Sequence, residues 1–160
     1  MFNSFTDEKA EDRRRPHLKT WLLLHYKIPP KPTSSRVYIW RKLKKAGAFL
    51  MQDSVWIMPY NIKTLEQFQW LAIEIQELGG EVFVWKSESL LPAQEDSLID
   101  HFNAQVIRIY EEIGLELEQD HPNLSFISQK YQQASMQDYF QCELGKEIRK
   151  QLLQKMGDDE

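Results

Sequence analysis

The sequence predicts an α+β chain in which a four-stranded antiparallel sheet carries helices, and three observations lead there. Short runs of strand length, dense in β-branched and aromatic residues, occur at Trp21–Tyr26 (WLLLHY), Val55–Pro59 (VWIMP) and Glu81–Lys86 (EVFVWK). Between them stand segments whose apolar residues recur at spacings of three and four, the period of a helix with one buried face. After Pro92 only the helical period remains.

Taken in order, residues 1–17 mix both charges around few apolar positions and read as a flexible arm. Trp21–Tyr26 is the first strand, closed by Ile28-Pro29-Pro30-Lys31-Pro32, which neither extends a ladder nor starts a helix. Thr33 or Ser34 is then expected to cap a helix running to about Ala46, with Val37, Ile39, Trp40, Leu43 and Ala46 as its apolar side. Gly47 supplies the stop. Ala48–Met51 and Val55–Pro59, interrupted by Gln52-Asp53-Ser54, form a hairpin. A second helix, Lys63–Leu78, carries Leu65, Phe68, Leu71 or Ala72, and Ile75 with Leu78, and ends at Gly79-Gly80 ahead of the last strand. The order βαββαβ over residues 18–91 is that of a ferredoxin-like, split-βαβ sheet.

Residues 92–156 read as a helical extension of the same domain. Leu98, Phe102, Val106, Ile109, Ile113 and Leu117 make one stripe, and His121-Pro122-Asn123 breaks it. Met136, Phe140, Leu144, Ile148 and Leu152 make a second, so a C-terminal helical hairpin is expected, its stripes buried on the sheet or in a dimer. Glu111, Glu112, Glu116, Glu118 and Asp120 read as a solvated helix face.

At 160 residues, 42% of them apolar and 12% aromatic, the chain has material for a core without staples. The single cysteine, Cys142, excludes an internal disulfide and fits a reducing, cytoplasmic setting. The N-terminus lacks the apolar segment of a secretory signal, and no run reaches the roughly 20 residues of a membrane span. A soluble protein without membrane association is expected. Net charge is −4, but residues 1–45 hold 12 of the 20 Lys and Arg against 4 of the 24 Asp and Glu, a local balance of +8 that leaves −12 for the rest. Such polarity fits an anionic partner.

The positive set has three parts: Arg13, Arg14 and Arg15 on the arm, Lys27 and Lys31 around the proline-rich turn, and Arg36, Arg41, Lys42, Lys44 and Lys45 on the first helix. Together they can track a phosphate backbone, which positions a nucleic acid without reading its sequence. The alternative is a solvated face attracted to the acidic helices or to a neighbouring subunit. Catalytic residues, metal ligands and cofactors are not expected. His25 and His101 lack ligand partners at suitable spacing, Asp53 occupies a turn, and Cys142 reads as a small apolar side chain.

The succession WLLL, proline-rich turn, SSRVYIWRKLKKAGA, SVWIMP and GGEVFVW resembles the N-terminal domain of the chromate-resistance protein ChrB, and more distantly the middle domain of PaaX-type repressors. With YQQASMQDYF in the later helical part, the likeness to the ChrB domain spans most of residues 18–156. It implies a ferredoxin-like core with a helical extension, a homodimer, and a regulatory role exercised through DNA in a chromate or oxyanion-resistance context. ChrB proteins continue into a second domain, so a separate sensing-domain protein is an implied partner. The same core resembles small CRISPR-associated metal-dependent nucleases, but these place an Asp at the end of the first strand, where this chain has His25-Tyr26-Lys27-Ile28. Three readings follow: a non-enzymatic, DNA-associated regulatory module; a protein–protein interaction or dimerisation module; and a divergent metal-dependent nuclease.

Overall fold

The computed structural model describes residues 19–158. The expected arm, with Arg13, Arg14 and Arg15, lies outside them. The chain forms two compact units, one ending at Glu95 and the other beginning at Asp96.

The first unit holds strands β1 (Thr20–Lys27), β2 (Phe49–Gln52), β3 (Val55–Pro59) and β4 (Glu81–Glu88) and helices α1 (Thr33–Lys45) and α2 (Ile62–Glu77). The strands make one antiparallel sheet in the order β2-β3-β1-β4. The α+β class and the four-stranded antiparallel sheet expected from the sequence are therefore present. Register puts Leu22 beside Met58 and Leu24 beside Trp56, and all four are buried on one face with Ile39 and Leu43 of α1 and Phe68, Leu71 and Ile75 of α2. On the other face Trp21 and Ile57 are buried, but Phe83 and Trp85 are more than half exposed. Trp21 Nε1 donates to the buried carboxylate of Glu95 at 3.0 Å, and that oxygen also accepts from the Lys19 N–H.

Helix ends follow local chemistry. Asn61 and Thr64 form a reciprocal capping box at the start of α2, each side chain accepting the other's backbone N–H at 2.8–2.9 Å. At the end of α1, Gly47 takes a φ of +82°, and N–H groups of Gly47 and Ala48 reach back to Lys44 and Leu43 in a Schellman motif. The expected Thr33 or Ser34 cap is not formed. Pro32 stands at the cap position with extended backbone and supplies no side-chain acceptor, because the helix begins one residue earlier than the hydroxyls require.

A second correction concerns the apolar side of α1. Ile39 and Leu43 are buried, but Val37 and Trp40 are 40% and 47% exposed. At about 100° per residue, Val37 and Trp40 rotate away from the Ile39–Leu43 row.

The remaining helices are α3 (Pro92–Leu117), α4 (Leu124–Gln137) and α5 (Glu143–Asp158). The expected hairpin is thus three helices. The stripe from Met136 to Leu152 is interrupted at Asp138, which ends α4, while Gln141 adopts a φ of +50°. Asp138 Oδ1 accepts the Cys142 N–H at 3.0 Å and Oδ2 accepts the Tyr110 hydroxyl at 3.1 Å, so one carboxylate holds the break open. The second unit has its own core of Val106, Tyr110, Ile113, Leu117, Ile127, Ala134, Ile148 and Leu152. Phe140 packs edge-on against Phe102, and Leu144, Ile148 and Leu152 belong to or pack on the core of this unit, whereas Met136 at the head of the stripe is exposed. Two carboxylates of the acidic face, Glu112 and Glu116, share Lys130 at 3.1 and 2.7 Å. Among the described residues no helix is long and apolar enough to cross a membrane.

Candidate nucleic-acid interface

Helical geometry sorts the cations of α1. Arg36, Trp40 and Lys44 are four residues apart and share one row, and Val37 and Arg41 occupy the next. Both rows lie off the buried Ile39–Leu43 line, so aromatic and cationic side chains alternate on the exposed flank. Lys44 Nζ stands 5.6 Å from the Trp40 ring centre and 5.8 Å from that of Trp56, within cation–π range.

Beside this flank is an open cleft of about 680 Å³. One wall is α1 from its first turn to Arg41, with Thr33, Arg36, Val37, Trp40 and Arg41. Tyr26, Lys27 and Ile28 bring the end of β1 to it, Asp53 and Ser54 of the β2–β3 turn form the opposite rim, and Trp56 of β3 closes the floor. Burial pushes the Tyr26 phenol up from its usual range, opposed by the nearby Arg36 charge. Asp53 has a φ of +46°, which Asp tolerates at a tight turn. The cleft therefore presents three cations, one carboxylate and an exposed indole.

The structure thus gathers Lys27, Arg36 and Arg41 around one cavity and sets Lys44 against its indole. Lys42 belongs elsewhere. Its ammonium is held by both oxygens of Glu74 on α2, at 2.6 and 2.9 Å, and the hydrogen bond to Glu74 raises its pKa. Lys31 is exposed in the proline-rich loop before a cis Lys31–Pro32 bond, and Lys45 is exposed in the last turn of α1, toward the negative end of the helix dipole.

Sequence reasoning passed over three contributors: Trp40, Trp56 and Tyr26. The signal for Trp40 was present, since it sits four residues from both Arg36 and Lys44 and so belongs to the cationic rows. Tyr26, Trp56 and the Asp53 rim meet α1 only through the sheet register, which one-dimensional spacing does not encode.

The chemistry offered is binding. Guanidinium and ammonium groups complement phosphate oxygens, and an indole face complements a flat ring. Elsewhere, burial, with a lesser contribution from the Asp138 charge, pushes the Cys142 thiol up and disfavours its thiolate. His25 Nε2 accepts the Trp85 indole N–H at 3.0 Å and stacks on Phe83. Among the described residues no three His, Cys, Asp or Glu side chains come together as a metal site.

Comparison with known proteins gives a family match over residues 36–124, more than half of the chain, to the family described as "Protein ChrB, N-terminal". No curated protein and no solved structure matches the chain. The matched span runs from Arg36 in α1 through β2, β3, α2, β4 and α3 to the first residue of α4, and β1 with Lys27 precedes it. The chain belongs to the family of ChrB N-terminal domains, which is associated with chromate resistance.

Proposed function

We propose that this protein is a non-enzymatic, cytoplasmic regulatory module of a chromate or oxyanion-resistance system that holds DNA by its phosphates. Lys27, Arg36, Arg41 and Lys44 are the contacts, with Lys31 and Lys45 adding to the field around them. The observation that carries this reading is the convergence of three cations from two separate elements on one open cleft, beside an exposed indole. Cations spread for solvation alone have no reason to converge from β1 and α1. The sheet order supports a ferredoxin-like reading of the first unit: taken from the β4 edge, each βαβ connection reaches over one intervening strand.

Titration of labelled duplex DNA at several salt concentrations tests the reading. Affinity should fall steeply with salt, the slope of log affinity against log salt being about 0.9 per neutralised phosphate. The pair Arg36→Glu and Arg41→Glu should flatten that slope by about 2. Absent or salt-insensitive binding by the unaltered protein refutes the proposal.

A second reading, homodimerisation or docking of a separate sensing-domain protein, draws support from Phe83 and Trp85. These rings are exposed on the sheet face away from α1 and α2, beside His25. A dimer that survives high salt and dissociates in Phe83→Asp, measured by light scattering, is the outcome that reading requires.

A further inference from the structure

Resting on the DNA-binding reading, we propose that the cleft holds one unpaired nucleotide of a nucleic-acid strand, with its base laid on Trp40 and its phosphates on Arg36, Arg41 and Lys27. A duplex backbone needs only a convex cationic surface. This site is concave, about 680 Å³, and its wall carries a tryptophan that is 47% exposed. The side chain lies between two cations of its own helix row, Arg36 one turn before and Lys44 one turn after. Ring and charge alternate in this way where successive bases stack and the backbone between them is neutralised.

Paired bases hide their faces in the helical stack, so only an unpaired base offers the flat surface that an indole complements. The rim supplies what the base edge needs. Asp53 accepts hydrogen bonds, and the Ser54 hydroxyl both donates and accepts. Asp53 repels phosphate, which orients the ligand with its base toward the hairpin turn and its phosphates toward α1 and Lys27. The first turn of α1 contains no acidic side chain and has no side-chain cap, so its N–H groups add to the positive end of the cleft.

The test uses the full chain and four probes of one sequence: a single strand, a perfect duplex, a duplex with one bulged base, and free deoxythymidylate. Binding is read by anisotropy of labelled strands and by quenching of tryptophan emission. The single strand and the bulged duplex should bind about tenfold more tightly than the perfect duplex, the size of one base–aromatic stack. Trp40→Ala should erase that preference, bringing the single strand and the bulged duplex to the affinity of the perfect duplex, and Trp40→Phe should restore most of it. Equal affinity for all strands, with Trp40→Ala silent, overturns the inference and leaves duplex binding standing. No binding to any strand overturns both. Binding of free deoxythymidylate that Trp40→Ala leaves unchanged, or displacement of every strand by a polyglutamate peptide, also overturns the inference.

Discussion

Replacing Asp138 with alanine should destabilise the second unit by about 2–4 kcal/mol, and the figure follows from two hydrogen bonds. Tyr110 is fully buried, and its hydroxyl donates to Asp138 Oδ2 at 3.1 Å. A buried hydroxyl deprived of its acceptor costs about 1–3 kcal/mol. Oδ1 accepts the Cys142 N–H at 3.0 Å at the entry to α5, and loss of such a capping contact costs about 1 kcal/mol more. Asp138→Asn keeps an acceptor for one bond and should cost less than the alanine. The assay is urea denaturation followed by far-ultraviolet circular dichroism, run on Asp138→Ala, Tyr110→Phe and the double variant. If the two side chains act as described, Tyr110→Phe costs at least about 1 kcal/mol less in the Asp138→Ala background than alone. A loss under about 0.5 kcal/mol for Asp138→Ala, or strict additivity of the two changes, refutes the account.

Three further outcomes are expected. Lys42→Met should leave DNA affinity within about twofold while Arg41→Met weakens it several-fold, because Glu74 already neutralises Lys42; equal losses in a binding titration would contradict this. Burial raises the Tyr139 phenol to about 12 and also raises that of Tyr110, whereas an unfolded tyrosine ionises near its usual value of about 10. Stability is therefore full below about pH 10 and falls as pH rises toward 12, since the unfolded chain releases these protons first. Urea midpoints measured across that range should decline, and a flat profile would refute the burial argument. Gly80→Ala should lower the melting temperature by several degrees, because a Cβ there would stand 2.7 Å from the Lys27 carbonyl oxygen and 2.8 Å from Ile75 Cγ2. An unchanged melting temperature would show that the strand end yields freely.

Much of the first unit was legible because its signals are local. WLLLHY and EVFVWK read as strands, and Gly47 and the Gly79-Gly80 pair stop helices, since each effect acts within a few residues. Trp40 was misplaced for a different reason. An apolar side chain counts as core in a binary pattern, yet its angular position on α1 pairs it with Arg36 and Lys44. The break at Asp138 was invisible because its partner Tyr110 lies 28 residues away, and a stripe spaced by fours continues smoothly through it. The cleft lies between these cases. Its cations were named from sequence, but the distinction between Arg41, which lines it, and Lys42, clasped by Glu74, depends on where α2 lies.

The close approach of Gly80 to the Lys27 carbonyl bears on how genetic data would sort. The same backbone that leaves no room for a Cβ at Gly80 also carries one of the cations of the cleft. A screen scored on the activity of that cleft would collect Gly80 substitutions beside those of Arg36 and Arg41, although Gly80 has no side chain to offer a ligand. Two allele classes with one phenotype would result. Thermal melting separates them, because the glycine alleles unfold early while the arginine alleles, altered on an exposed flank, melt with the parent protein.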